Sequence, residues 1–188
     1  MNQNEHKYED LIAIFDSCFS QSYNTRLERG SDYPIYLPEF IDEDNTPSER
    51  PYNVILFAHG FYSSALHEIA HWLVAGKERR KLEDFGYWYE PDGRSAERQR
   101  EFEQVEVKPQ AIEWILATAA NFRYFASADN LTGNAGDNSA FKQAVYQQVQ
   151  TYAEKGLPLR AEQLRQALCQ FYGTPNFIDL SRFDLAKI

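Results

Sequence analysis

The chain has 188 residues, one domain's worth by length, and its 43% hydrophobic and 25% charged residues exclude a disordered chain. Aromatic residues reach 15%, enough for a dense core and the walls of a pocket. Asp and Glu number 28 against 19 Lys and Arg, and the net charge of −9 excludes general affinity for a nucleic-acid backbone or an anionic membrane while suiting a cationic substrate.

No run approaches the roughly 18 apolar residues that a membrane span needs. Residues 1–10 are polar and acidic, with no basic start leading into an apolar stretch. No secretory leader is therefore expected, and the expected address is the cytoplasm. Cys18 and Cys169 lie far apart, each inside an expected helix, and read as reduced, buried thiols.

In chain order, residues 6–19 are predicted to be helical, because Tyr8, Leu11, Ile12, Phe15 and Phe19 recur at three- and four-residue spacing. Residues 22–31 are polar, contain Gly30 and read as a turn. Residues 33–37, with Pro34 and Pro38 at their ends, read as an edge strand. The stretch 38–51 gathers Glu39, Asp42, Glu43 and Asp44 among Pro and Ser, as in a solvated loop. Residues 52–58 are short, β-rich and nearly all apolar, the pattern of a strand buried on both faces. A helix is predicted over 62–75, with Ser63 or Ser64 near its start and Gly76 as its stop. The basic run Lys77, Arg79, Arg80 and Lys81 reads as a solvated face.

Residues 85–90 resemble a second strand before the turn Pro91-Asp92-Gly93. A polar helix is expected over 95–104, and Pro109 is expected to open a separate, strongly apolar helix over 109–120 at the centre of the molecule. Residues 127–139 form a Gly/Asn/Asp-rich loop. Two amphipathic helices follow, one carrying Phe141, Ala144, Val145, Val149 and Tyr152, the other Leu164, Ala167, Leu168 and Phe171, before an irregular tail beyond Gly173. The pattern predicts one α+β domain over residues 1–188, a small and mostly buried sheet packed with five to six helices.

One motif carries chemistry. His67-Glu68-Ile69-Ala70-His71 reads H-E-x-x-H inside the predicted 62–75 helix, and residues four apart stand one above the other on a helix face, so both imidazoles reach one metal ion. The flanks Leu66, Ile69, Ala70, Trp72, Leu73 and Val74 are apolar, and a helix that buried does not bury two unpartnered imidazoles without cost. A third protein ligand is needed. His6 sits in the polar N-terminal stretch and reads as surface, while His59 closes the strand before the metal helix and reads as a turn or ligand-supporting residue. Glu106 is the best third ligand, because it adjoins the apolar helix and is flanked by Val105 and Val107. Glu103, on a more polar stretch, is the next choice.

Two histidines and one carboxylate admit two chemistries. With zinc they form a hydrolytic site, metallopeptidase or nuclease-like, in which Glu68 is the general base. With Fe(II) they form the facial triad of non-haem oxygenases, which use O2. The motif alone favours zinc hydrolysis. A purely structural metal is disfavoured, because structural zinc sites are closed and cysteine-rich and no cysteine lies near this motif.

Several blocks together carry a family resemblance: Phe57-Ala58-His59-Gly60-Phe61-Tyr62 leading into His67–Trp72, then Asp84-Phe85-Gly86-Tyr87-Trp88-Tyr89, Pro91-Asp92-Gly93-Arg94, and Val105-Glu106-Val107-Lys108-Pro109-Gln110-Ala111. They closely resemble bacterial elongation factor P hydroxylase over nearly the whole chain. The acidic loop over 41–49 is longer than the family pattern. The resemblance implies a protein-lysine hydroxylase, a monooxygenase-type oxidoreductase acting on the β-lysyl-modified lysine of elongation factor P. It implies a two-histidine, one-carboxylate iron site and a fold similar to that of a metal-dependent ribonuclease. Carried onto this chain, His67 and His71 match the paired histidines and Glu106 the carboxylate. The implied cofactor is Fe(II), with zinc or another divalent metal able to take its place, and O2 is the implied cosubstrate. No pattern names an electron donor or a 2-oxoglutarate clamp. The modified lysine is cationic, which suits the acidic chain, and Glu68 and Glu103 are candidates to hold its amines. Tyr87, Trp88 and Tyr89 are candidate walls of the slot, since aromatic faces attract cations.

Overall fold

The structure, a computed structural model, describes residues 6–39, 50–86, 95–127 and 138–188. Helix α1 (Tyr8–Phe19) begins the chain and turns Leu11, Ile14, Phe15 and Phe19 inward. Three strands follow, β1 (Thr25–Arg29), β2 (Ile35–Leu37) and β3 (Asn53–Phe57), then helix α2 (Tyr62–Val74). Helices α3 (Ala96–Ala119), α4 (Ser139–Lys155) and α5 (Leu159–Tyr172) complete the described framework, and short 3₁₀ turns form the tail. This is a small α+β molecule in which no described helix is long and apolar enough to cross a membrane.

The sheet has the order β1-β3-β2, with β1 parallel and β2 antiparallel to β3. Val54, Ile55 and Phe57 are buried, as expected of a central strand, and β2 lies at an edge, as its prolines predict. Residues 25–29 correct the expected turn over 22–31. Thr25 and Leu27 are buried while Arg26 is exposed and Glu28 half-buried, an alternation of period two that ends at the exposed Arg29 and that the charged residues obscure. The outward Leu27 N–H of this edge strand donates to Asp16 Oδ1 of α1 at 3.1 Å, so the edge is covered by a helix.

Between β3 and α2 the chain reverses through His59 and Gly60, both in the left-handed region at φ 55° and 72°. A Cβ at residue 60 would stand 3.1 Å from Arg29 Nε and 3.3 Å from Tyr8 Cε1, so the turn demands glycine. Ser64 Oγ accepts the Ala58 N–H at 3.1 Å and ties the strand end to the first turn of α2.

Helix α3 corrects the sequence expectation most. The two helices predicted over 95–104 and 109–120 are one helix of 24 residues, and Pro109 lies inside it. Proline removes the N–H that would serve the Val105 carbonyl, but Val105 is 44% exposed, so water reaches that position. The C-terminal half, from Ala111 through Ala120, is almost wholly buried and packs against α2, α4 and α5. The strand predicted over 85–90 is not found at its start, where Glu83–Gly86 form a 3₁₀ turn. Its remainder and the turn Pro91-Asp92-Gly93 lie outside the described residues, as do most of the loops at 38–51 and 127–139.

The core is aromatic where α1, α2 and α5 meet. Phe15 and Phe19 pack against the fully buried Trp72 with centroids 5.4 and 5.0 Å away. Cys169 is buried and Cys18 half-buried, and both are free thiols. His6 corrects its surface assignment. Its Nε2 lies 2.8 Å from the Ala120 carbonyl, and its ring sits among Tyr62, Phe122 and Tyr172.

Candidate metal centre

His67 and His71 stand one turn apart on α2, and their Nε2 atoms approach to 3.1 Å. Glu106, at mid-length on α3, places Oε1 3.2 Å from His71 Nε2 and Oε2 3.8 Å from His67 Nε2. One donor atom from each residue lies within 4.8 Å of the other two, and among the described residues this is the group fitted to hold a metal ion. The Glu106 side chain is 4% exposed, whereas His67 and His71 are 24% and 16% exposed. The acid is therefore the most deeply buried of the three, the floor of the site, and the imidazoles are the partly exposed members.

Helix α3 supplies more than one ligand. Glu106, Gln110 and Glu113 recur at four- and three-residue spacing and share a face. Gln110 Nε2 donates to Glu106 Oε2 at 3.3 Å and to the Ser127 carbonyl at 2.5 Å. Its Oε1 accepts from Tyr124 Oη at 2.9 Å and from the Ser127 N–H at 3.2 Å. All of the Gln110 amide is thus used, and the loop after α3 is stitched to the floor of the site. Glu113 Oε2 lies 2.8 Å from His67 Nδ1, the ring nitrogen on the far side from Glu106.

The electrostatics follow from this packing. Burial opposes ionisation of Glu106, but His71, His67 and the Gln110 amide outweigh it and hold the carboxyl at about 2. Burial disfavours a charged His67, yet Glu113, Glu106 and Glu68 overcome that and raise its pKa well above 6.5. Burial pushes the Glu68 carboxyl up, against the pull of His67 and His71. Burial likewise raises Asp84, which is electrostatically coupled to both His71 and Glu68.

Of the residues picked from sequence, His67, His71 and Glu106 come together, and Glu68 lies between the two histidines on α2. Glu103 lies one turn before Glu106, half-buried, and accepts from Gln99 Nε2 at 3.2 Å. It is outside the donor group. His59 stays in the β3–α2 turn, with Nδ1 3.9 Å from Asp32, and is also outside the donor group. Tyr87, Trp88 and Tyr89 lie outside the described residues. Sequence reasoning missed Gln110, Glu113, Tyr124 and Asp84. The signal for Glu113 was present as a lone charge between Ile112 and Trp114 in the most apolar stretch of the chain.

A family model described as elongation factor P hydroxylase matches residues 14–183. A protein of Haemophilus influenzae named elongation factor P lysine hydroxylase is 71% identical over 184 residues, covering 98% of this chain and 99% of that protein. With a match of that extent, the chain belongs to the elongation factor P hydroxylase family.

Proposed function

We propose that this chain hydroxylates a lysine of elongation factor P, in its β-lysylated form, at an Fe(II) centre held by His67, His71 and Glu106, with O2 as cosubstrate and in the cytoplasm. The observation that carries the reading is the pairing of a 71% identical relative named for this activity with a donor set of two imidazoles and one carboxylate. The donor set fits iron. Imidazole and carboxylate suit it, and three protein ligands on one side leave positions open. Iron held there would supply activation of O2 for insertion of one oxygen atom into a C–H bond, the other atom being reduced to water by two protons and by two electrons from an external reductant.

The chain's own residues prepare that chemistry. Glu106 is anionic through the physiological range, so it offers a charged ligand without a proton to displace. Gln110 fixes the carboxylate against rotation. Glu68 and Asp84, coupled to each other and to His71, place negative potential beside the imidazoles. We assign them to the amines of the cationic side chain, with Glu68 the nearer of the two to the ligands in sequence. Hydrolysis by zinc would use Glu68 as base instead, and neither the matching family nor the Haemophilus influenzae relative is named for that activity.

The test is direct. The purified chain is reconstituted with Fe(II), supplied with ascorbate and incubated in air with β-lysylated elongation factor P. Mass spectrometry of the modified peptide is expected to show one added oxygen atom. The reading fails if no oxygen is gained while the zinc-loaded protein cleaves peptide or nucleic acid, with loss of cleavage in Glu68→Gln.

A further inference from the structure

His67 has two ring nitrogens, and the structure gives each a different task. Nε2 is directed at the donor group, 3.1 Å from His71 Nε2 and 3.8 Å from Glu106 Oε2. Nδ1 is held 2.8 Å from Glu113 Oε2. In a neutral imidazole one nitrogen carries the proton and the other the lone pair, and the partner at one nitrogen decides which is which. A carboxylate accepts and does not donate, so Glu113 draws the proton to Nδ1 and leaves the Nε2 lone pair for a metal.

The placement of Glu113 has a cost. It is 8% exposed, between Ile112 and Trp114, which are 0% and 3% exposed. Among the described residues its hydrogen-bond partner is His67. A buried carboxylate paired with an imidazole is a poor source of stability, since desolvation of both groups offsets their attraction. Glu113 is seven residues beyond Glu106 on the same helix, so one rigid element fixes the floor ligand and the outer edge of the neighbouring imidazole together. Its oxygen meets the ring on the far side from Glu106, which excludes it from the donor group itself.

We propose that Glu113 is a positioning residue of the metal centre, fixing the tautomer and rotation of His67 so that Nε2 faces the ion. The inference rests on the metal reading above, and its test uses Zn(II), so hydroxylase activity is not needed to read it. Glu113→Leu removes the acceptor while filling the apolar site, and Glu113→Ala repeats the comparison with a smaller side chain. Glu113→Gln removes the charge and keeps an accepting oxygen.

Zn(II) affinity is measured by competition with a chromophoric chelator, on protein shown to be folded. Glu113→Leu is expected to weaken binding roughly tenfold to a hundredfold. Glu113→Gln is expected to recover most of that loss. In nitrogen–proton correlation spectra of the zinc-loaded protein, the His67 Nδ1 proton is expected to be protected in wild type and Glu113→Gln and lost to exchange in Glu113→Leu. Wild-type affinity with an unchanged ring signal in Glu113→Leu would overturn the assignment, even if its metal-free unfolding midpoint shifts, because that is the signature of a structural pair. Glu113→Gln as weak as Glu113→Leu would overturn it too, by showing that charge and not orientation matters. A wild-type protein that binds no Zn(II) or Co(II) would overturn this assignment and the metal reading together, and so marks the failure of that earlier step.

Discussion

Protons and a metal compete for His67. In the metal-free protein Glu113, Glu106 and Glu68 hold its pKa well above 6.5 despite burial. A raised folded value means that this histidine contributes stability fully below 6.5 and loses that contribution as pH rises through the folded value. Glu106 behaves in the opposite sense. Its carboxyl is depressed from 4.5 to about 2, so its contribution is present above 4.5 and is lost as pH falls toward 2. Metal binding needs the neutral imidazole, and therefore releases the His67 proton. Metal affinity is predicted to rise by up to about tenfold per pH unit until the folded His67 value is passed, and then to level. Over the same range the metal-free fold weakens while the zinc-loaded fold gains. Denaturant titrations of both forms across the pH series check this. An affinity that is flat above pH 6.5 would show that the acids around His67 do not hold its proton.

Helix α2 must present two histidines in fixed register, and its C-terminal end is clamped from another helix. Arg160, near the start of α5, donates to the carbonyls of Trp72 at 2.9 Å, Leu73 at 3.1 Å and Ala75 at 2.7 Å. Its guanidinium lies 4.3 Å from the centroid of the Trp72 ring. Burial and the neighbouring Arg80 bring its pKa down to about 10, still well above neutrality. These are the carbonyls a helix end leaves without partners, and a planar cation with several donors satisfies them together. Arg160→Ala is predicted to lower unfolding free energy by about 2 kcal/mol. Arg160→Lys is predicted to restore less than half, because a single ammonium does not match the fork. Both are read from urea unfolding, and an alanine variant within about 0.5 kcal/mol of wild type would contradict the clamp.

The same elements show what the sequence makes legible. Helices α1, α2, α4 and α5 announce themselves by apolar spacing, and β3 by its short apolar run. Strand β1 does not, because three of its five residues are charged and its partner is the distant β3, a parallel pairing that no local pattern encodes. Pro109 reads as a helix start under local rules, yet tertiary packing of the apolar half of α3 carries the helix through it.

At the scale of the whole molecule, the site is a seam between two helices that are far apart in sequence. Helix α2 follows the sheet and brings a histidine pair, and α3 crosses it and brings the acid, the amide that holds the acid, and Glu113. The histidine pair was legible because both members sit on one helix within five residues. Glu106 was legible as an acid at the edge of an apolar run, although the valines beside it are not the guide, since Val105 is 44% exposed and Glu106 is buried. Gln110 was not, and Glu113 was legible only as a lone charge in an apolar run, since the partners of both exist only once α3 packs on α2. The acidic balance of −9 is expressed locally by Glu68 and Asp84 beside His71. The excess of carboxylates thus suits a cationic side chain and a cation ligand alike.

The central claim, that His67, His71 and Glu106 hold the metal that oxidises a lysine of elongation factor P, is tested most directly with isotopically heavy O2. Wild type and His71→Ala are each supplied with Fe(II), reductant and β-lysylated elongation factor P under that gas, and the modified lysine is weighed. The account predicts one heavy oxygen atom in the wild-type product and none with His71→Ala, whose fold is retained by circular dichroism. Oxygen drawn from water, or wild-type incorporation by His71→Ala, would contradict it.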